Sequence, residues 1–287
     1  MVVLVTGATG KIGSELVKQL AHAGTQVRAL VHSPDKAETI KGSNVDIVIG
    51  DLAKPEILEA AVEGVERVFS LVPSTPNLVE LETNLLNAIK LTSVQHIVKL
   101  SAIQATENSP ASLFRDHWLG EQRFQESGIP FTLLRPNAFN QNLLVFAQSI
   151  KSENTFSAPL KDTKVGFIDT RDIALVAAKV LTENGHEGKT YTITGSELLS
   201  YQEVAEKLSA ILDKKITYVD VTLEDFNNTL LSWGIPDVFA KRLVEAWGLI
   251  GDGKYSFVTH TFYEITNNQP RSFDQFLYDY AHVFKNN

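Results

Sequence analysis

Met1-Val2-Val3-Leu4-Val5-Thr6-Gly7-Ala8-Thr9-Gly10-Lys11-Ile12-Gly13 opens the chain, and Ser14-Glu15-Leu16-Val17-Lys18-Gln19-Leu20 follows it. An apolar start, a run with three glycines, then apolar residues at helical spacing read as strand, turn and helix. That order is the context a dinucleotide-binding fingerprint requires. Each glycine has its own physical task. Gly7 lets the backbone turn tightly out of the strand, Gly10 lets a pyrophosphate approach the main chain, and Gly13 lets the helix pack close to the strand. The free N–H groups and positive dipole end of that helix then face the phosphates. Thr9, Lys11 and Ile12 lie between the glycines and are assigned to the same cradle. The spacing is Gly-x-x-Gly-x-x-Gly rather than Gly-x-Gly-x-x-Gly, so the motif draws its weight from the strand and helix around it. The alternative is a glycine-rich turn that holds no ligand.

Outward from this stretch, strand and helix patterns alternate, which predicts a parallel sheet. Strands are expected at 26–31, 45–49, 66–72, 95–101 and 130–134. Helices are expected at 55–62, 77–91 and 112–127, the last ending before Gly128 as a C′ glycine. In the second half, short strands are expected at 165–168, 189–193 and 216–219. Helices are expected at 170–181 and 200–212, with two or three more in 223–284. The fold class is therefore α/β, a Rossmann-like doubly wound parallel sheet with helices on both faces and a smaller C-terminal α/β substrate lobe. Residues 1–154 are expected to form the dinucleotide-binding domain, with 170–195 returning to it. Residues 155–287 are expected mainly to form the smaller lobe, which would cover the carboxyl edge of the sheet where ligands bind.

Bulk composition excludes several classes. The 287 residues include no cysteine, so disulfides, thiolate catalysis and cysteine metal sites are out. A net charge of −8 argues against nucleic acid or an anionic membrane as partner. No apolar run approaches the roughly 20 residues needed to span a bilayer, and a cytoplasmic protein is expected. The seven histidines show no metal-ligand spacing, so no metal is assigned.

The second strand ends Val31-His32-Ser33-Pro34-Asp35-Lys36. An acidic residue there would bind the ribose hydroxyls of NAD. His32 stands in its place, and His32, Ser33 and Lys36 could surround a 2′-phosphate, so NADPH is expected over NADH. The opposing reading makes Lys36 and Lys11 ordinary solvated lysines. Asp51 and Leu52 follow the third strand and are assigned to the adenine side, with a turn aspartate as the alternative for Asp51. Val72 and Pro73, after the fourth strand, join the cofactor set. So do Pro136, Asn137 and Phe139 at the carboxyl end of the sixth. Trp118, Phe146, Phe156, Trp233 and Trp247 could wall an apolar pocket, or simply fill the core.

The glycine stretch resembles the short-chain dehydrogenase/reductase superfamily in its extended and atypical branches. Members use a Tyr-x-x-x-Lys pair on the helix after the fifth strand, where lysine lowers the tyrosine pKa for proton exchange. None of the seven tyrosines here has lysine four residues on. The corresponding helix carries Asp116-His117-Trp118-Leu119-Gly120-Glu121, with His117 and Glu121 on one face. The resemblance places these two roughly where tyrosine and lysine would stand, and Ser101 where the superfamily has a catalytic serine or threonine. His117 could orient substrate or donate a proton, or could merely pair with Glu121.

Stretches 7–13, 50–52, 96–101, 127–140 and 258–284, with Gln269-Pro270-Arg271-Ser272-Phe273, make the chain resemble the NmrA-like atypical branch. That branch includes triphenylmethane-dye reductases, NAD(P)H:quinone reductases and redox-sensing regulators of NmrA type. The resemblance implies an NAD(P)H-dependent reductase acting on a small conjugated, electron-poor acceptor, which needs no strong acid. It also allows a sensor of NADPH/NADP⁺ with a protein partner. A sugar-nucleotide epimerase is a third reading, weakened by the missing tyrosine–lysine pair. His32→Asp is expected to weaken NADPH relative to NADH through like-charge repulsion. Titrating both nucleotides by calorimetry checks this, and an unchanged ratio would remove residue 32 from the ribose.

Overall fold

Alternate residues of the first strand enter opposite cores. Val3 and Val5 pack into one apolar cluster and Leu4 into another, as expected of a strand buried on both faces. The computed structural model describes residues 1–90 and 92–285. Nine strands appear among them: β1 (Val2–Val5), β2 (Gln26–Val31), β3 (Val45–Ile49), β4 (Arg67–Ser70), β5 (His96–Leu100), β6 (Phe131–Pro136), β7 (Thr155–Ala158), β8 (Thr190–Ile193) and β9 (Thr217–Asp220). Seven form a parallel sheet in the order β3-β2-β1-β4-β5-β6-β8, and β7 pairs with β9 in a second, two-stranded sheet. The order reverses between β1 and β4, where open α/β sheets bind ligands.

Helices α1 (Lys11–His22), α2 (Pro34–Ala37), α3 (Pro55–Val62), α4 (Leu78–Ile89), α5 (Ser112–Glu126), α6 (Ala147–Glu153) and α7 (Thr170–Thr182) follow in the chain. α1 and α7 cover one face of the main sheet, while α3, α4 and Phe124 of α5 cover the other. The expected helix at 77–91 is α4, and Leu91 lies outside the described residues. β8 returns to the sheet beside β6, with Leu133 opposite Thr190.

The second half adds α8 (Tyr201–Leu212), α9 (Leu223–Ser232), α10 (Asp237–Gly251), α11 (Thr261–Thr266) and α12 (Phe273–Phe284). Ser200 caps α8 in a capping box with Glu203. Four helices fill the stretch expected to hold two or three. Gly234 (φ 78°) ends α9, Pro236 starts α10, and Asn267 (φ 55°) ends α11. The strand expected at 165–168 is replaced by two isolated bridges. Val165 pairs antiparallel with Leu199 and Ile168 parallel with Phe139, so no single ladder forms. β7, the partner of β9, is a strand that the patterning does not predict. Within the Gln269–Phe273 segment, Arg271 pairs with Asp172 of α7, and Ser272 caps α12 by accepting from Gln275 N. Phe146 and Phe156, considered for a pocket wall, are buried in the aromatic cluster of this region, their rings 5.6 Å apart.

One buried contact departs from apolar packing. Glu82 sits in the stripe of α4 that buries Leu78, Leu81, Leu85 and Ile89. Its carboxylate meets the Lys99 ammonium of β5, and neither side chain has any exposed surface. Lys99 also lies 5.3 Å from the Phe124 ring centroid. Burial pushes the Glu82 carboxyl up, and the Lys99 charge opposes that shift. Gly120 of α5 closes over the pair, where a Cβ would fall 1.9 Å from Glu82 Oε2. Breaking a buried pair by removing one partner typically costs about 3–5 kcal/mol, whereas replacing both by apolar residues is often neutral. Lys99→Met is therefore expected to lose about that much in urea unfolding. The double variant Glu82→Leu with Lys99→Met should recover most of it.

Candidate active site

The glycines of the first turn separate by what surrounds them. Gly7 has φ 61°, and a Cβ there would meet the Leu71 side chain at 2.4 Å. A Cβ on Gly13 would lie 2.1 Å from Gly7 O. Both are glycines for packing. Gly10 differs, because its nearest neighbour to an added Cβ is Gly7 O at 3.2 Å, with nothing else within 4 Å. It N-caps α1 and supplies no side-chain cap, so the first-turn N–H groups of that helix face a concavity. That concavity suits an anionic group, and a Cβ would begin to fill it. Thr6 Oγ1 donates to Leu71 O (2.9 Å) and accepts from Leu71 N, which ties the ends of β1 and β4 beneath the turn.

From Gly10 a cavity of about 460 Å³ runs along the carboxyl ends of β4, β5 and β6 to α5 and α10. Gly10, Lys11, Ile12, Val72, Pro73, Ser101, Pro136, Asn137, Phe139 and His117 all line it. Gly7, Thr9 and Gly13 belong to the turn without lining the cavity. His32, Ser33, Lys36, Asp51 and Leu52 lie outside it, past the ends of β2 and β3. There His32 Nδ1 stands 3.6 Å from Asp51 Oδ2. Asp51 Oδ1 also accepts from Ala53 N (2.9 Å), a turn role. Of the five aromatics considered, Trp247 alone lines the cavity, and Trp233 is largely exposed.

His117 and Glu121 share a face of α5 but do not meet. Glu121 turns to the sheet, where the Arg135 guanidinium donates to both its oxygens and Ser101 Oγ donates to Oε1. The alternative in which His117 merely pairs with Glu121 gives way because an arginine outcompetes an imidazole for a buried carboxylate. Glu121 therefore lies behind Ser101 rather than on the cavity wall. His117 Nε2 is 3.1 Å from Ser74 Oγ, and Nδ1 has no partner among the described residues. Burial holds the imidazole well below its ordinary pKa, and Lys99 and Arg242 add to the shift. That environment favours the neutral form of His117. Asn137 is occupied, its Nδ2 donating to Tyr255 O (3.1 Å) and its Oδ1 accepting from Ala138 N. Lys11 Nζ donates to Gln141 O (3.2 Å).

Several site residues carried no weight in the sequence reading. Lys99, flanked by Val98 and Leu100 in a doubly buried strand, was itself a signal, as was Glu82 in an apolar stripe. Ser74, Tyr255 and, beside Trp247 on the α10 wall, Phe239, Leu243 and Ile250 gave none, since only tertiary folding brings them to the sheet edge. Among the described residues no helix is long and apolar enough to cross a membrane. No three His, Asp or Glu side chains converge on a metal site.

A doubly wound sheet with a glycine turn, opening on a cavity without the tyrosine–lysine pair, defines an atypical member of the dinucleotide-binding reductase superfamily. Residues 1–277 match the NmrA-like family, and the chain belongs to it. It is 38% identical over 284 residues to an NAD(P)H azoreductase of Xenophilus azovorans, covering 98% of this chain and 99% of that one. Its fold is similar to the NADPH-dependent quinone oxidoreductase QOR2 of Escherichia coli complexed with NADPH. The TM-score is 0.88 and the identity 27%, covering 98% of this chain and 99% of that one. Triphenylmethane reductase of Citrobacter sp. gives a TM-score of 0.83 at 25% identity, over 99% of each chain.

Gly10→Val is expected to keep the fold and abolish dinucleotide binding, because the side chain enters open space that a pyrophosphate would need. Gly13→Val should instead damage the fold. Circular dichroism with calorimetric titration of NADPH separates the two, and tight binding by folded Gly10→Val would move the nucleotide elsewhere.

Proposed function

We propose that this chain is an NAD(P)H-dependent reductase that delivers hydride to a conjugated, electron-poor small molecule of quinone or dye type. The observation that carries the reading is one cavity joining the Gly10 concavity to an apolar chamber walled by α5 and α10. When bound, the nicotinamide supplies the hydride. The chain supplies position. The open face at Gly10 and the N-terminus of α1 hold the pyrophosphate, with Lys11 adding charge. Val72, Pro73, Ser101, Pro136, Asn137 and Phe139 flank the nicotinamide end. Asp51 and Leu52 serve the adenine side. His32, Ser33 and Lys36 take a 2′-phosphate, which makes NADPH the preferred nucleotide.

Residues 1–154, with 170–195, form the binding domain in this reading, and most of 155–287 forms the lobe over the acceptor. Leu243 and Trp247 exclude water and stack a flat ring. His117 orients the acceptor as a neutral group. An acceptor that delocalises the incoming charge needs no strong acid, so proximity provides much of the rate.

Loss of NADPH absorbance against a panel of quinones, azo dyes and triphenylmethane dyes tests the proposal. Catalytic turnover of at least one class is expected. Tight NADPH binding with no turnover of any would favour a redox sensor. His117→Ala should lose less than the roughly 10²–10⁴-fold of a general acid, mainly in KM. A loss of about a thousandfold in kcat would make His117 a true acid.

A further inference from the structure

Tyr255 follows α10 and lines the same cavity as Ser101 and His117. It is 2% exposed, and its hydroxyl has no hydrogen-bond partner among the described residues. The rest of the residue is pinned. Its carbonyl accepts from Asn137 Nδ2 (3.1 Å) and Gly166 N (3.4 Å), and its ring lies 6.0 Å from that of Phe114. A buried hydroxyl with nothing to bond is costly and uncommon. A cavity-lining phenol escapes that cost when a bound molecule offers it an acceptor atom. Burial raises the phenol far above its ordinary pKa, so it keeps its proton.

Ser101 has the opposite character. Glu121 is gripped through both oxygens by Arg135 and can only accept, so the Ser101 proton points at Glu121. Ser101 thus spends its proton on Glu121, whereas the Tyr255 proton has no partner among the described residues. Ser101 therefore has no proton to offer an acceptor, and a donor must come from elsewhere.

We propose that the Tyr255 hydroxyl donates a hydrogen bond to the acceptor oxygen on which negative charge develops, so that this reductase acts on carbonyl-type acceptors, quinones and enones. The inference rests on the reductase reading. Hydride addition to a quinone forms one bond to hydrogen and delivers two electrons, with NAD(P)H oxidised to NAD(P)⁺ in balance. The product is a hydroquinone monoanion, its charge on the second oxygen, and water supplies the last proton. Tyr255 keeps its own proton throughout and lowers the energy of the anion as it forms. A triphenylmethane cation takes hydride on carbon and becomes neutral, so it has no use for such a donor.

Tyr255→Phe tests this, since it keeps the ring and removes the unpaired hydroxyl. The melting temperature should hold or rise. Quinone kcat should fall by about ten- to a hundredfold. Reduction of a triphenylmethane dye, where the wild type shows it, should change by less than about threefold. Binding of para-nitrophenolate to the NADP⁺-loaded protein, read by its absorbance, should weaken about tenfold. An unchanged quinone rate, an equal loss with both acceptors, or a lowered melting temperature would overturn the proposal. Should the wild type reduce nothing, the reductase reading fails by itself. The phenolate titration still decides Tyr255, and equal affinity in both proteins would refute it.

Discussion

Lys99 and Glu82 meet where water does not reach them, and much of the site is built on that contact. An ion pair so deep adds little net stability, yet it leaves little freedom, because each charge would be intolerable without the other. It fixes β5 against α4 and requires a glycine at position 120, so α5 must settle close over the pair. The seating of α5 sets where His117 and Glu121 point. Glu121 in turn holds both Arg135 and Ser101, and Ser101 stands at the cavity wall. The same burial and the Lys99 charge keep His117 neutral. One electrostatic arrangement thus sets both the shape and the proton inventory of the site.

The cavity is composed of two chemically different contributions. Strand ends bring glycine, proline, serine and asparagine, small or polar groups suited to a nucleotide. α10 brings Phe239, Leu243, Trp247 and Ile250, suited to a flat apolar acceptor. Asn137 joins the two, because its amide holds the Tyr255 carbonyl. The asparagine at the end of β6 is thereby a structural tie as well as a wall.

The main sheet was legible because its signals are local. Apolar runs of strand length, the glycine turn and the helix after it each depend on neighbours in sequence. So was the return of 189–193 to the sheet, which β8 shows. Resemblance of five stretches running from 7–13 to 258–284 pointed to the family, which the match over residues 1–277 bears out. The pairings inside the site were less legible. Sequence spacing put Glu121 beside His117, but a carboxylate chooses the strongest buried donor, and Arg135 arrives from a different element. Likewise Asp51 reaches His32 only because β2 and β3 are register partners, with Val31 opposite Ile49. The isolated bridges at Val165 and Ile168 fall below what a two-residue period can register.

The return of α7 and β8 to the main sheet has a consequence for the order in which the molecule can be made. α1 packs on α7, and Gln19 Nε2 bonds Arg171 O across 152 residues. Until α7 leaves the ribosome, the side of α1 that packs on it has no cover, and β6 remains an open edge until Ile193 follows. Folding during synthesis therefore cannot finish the N-terminal half first. The nascent chain must carry the unpaired β6 edge from Pro136 until Ile193 is made, the condition under which such sheets associate with one another. The aromatic-rich second cluster, whose members lie between Ile103 and Phe284, consolidates late and closes a fold that its beginning alone could not hold.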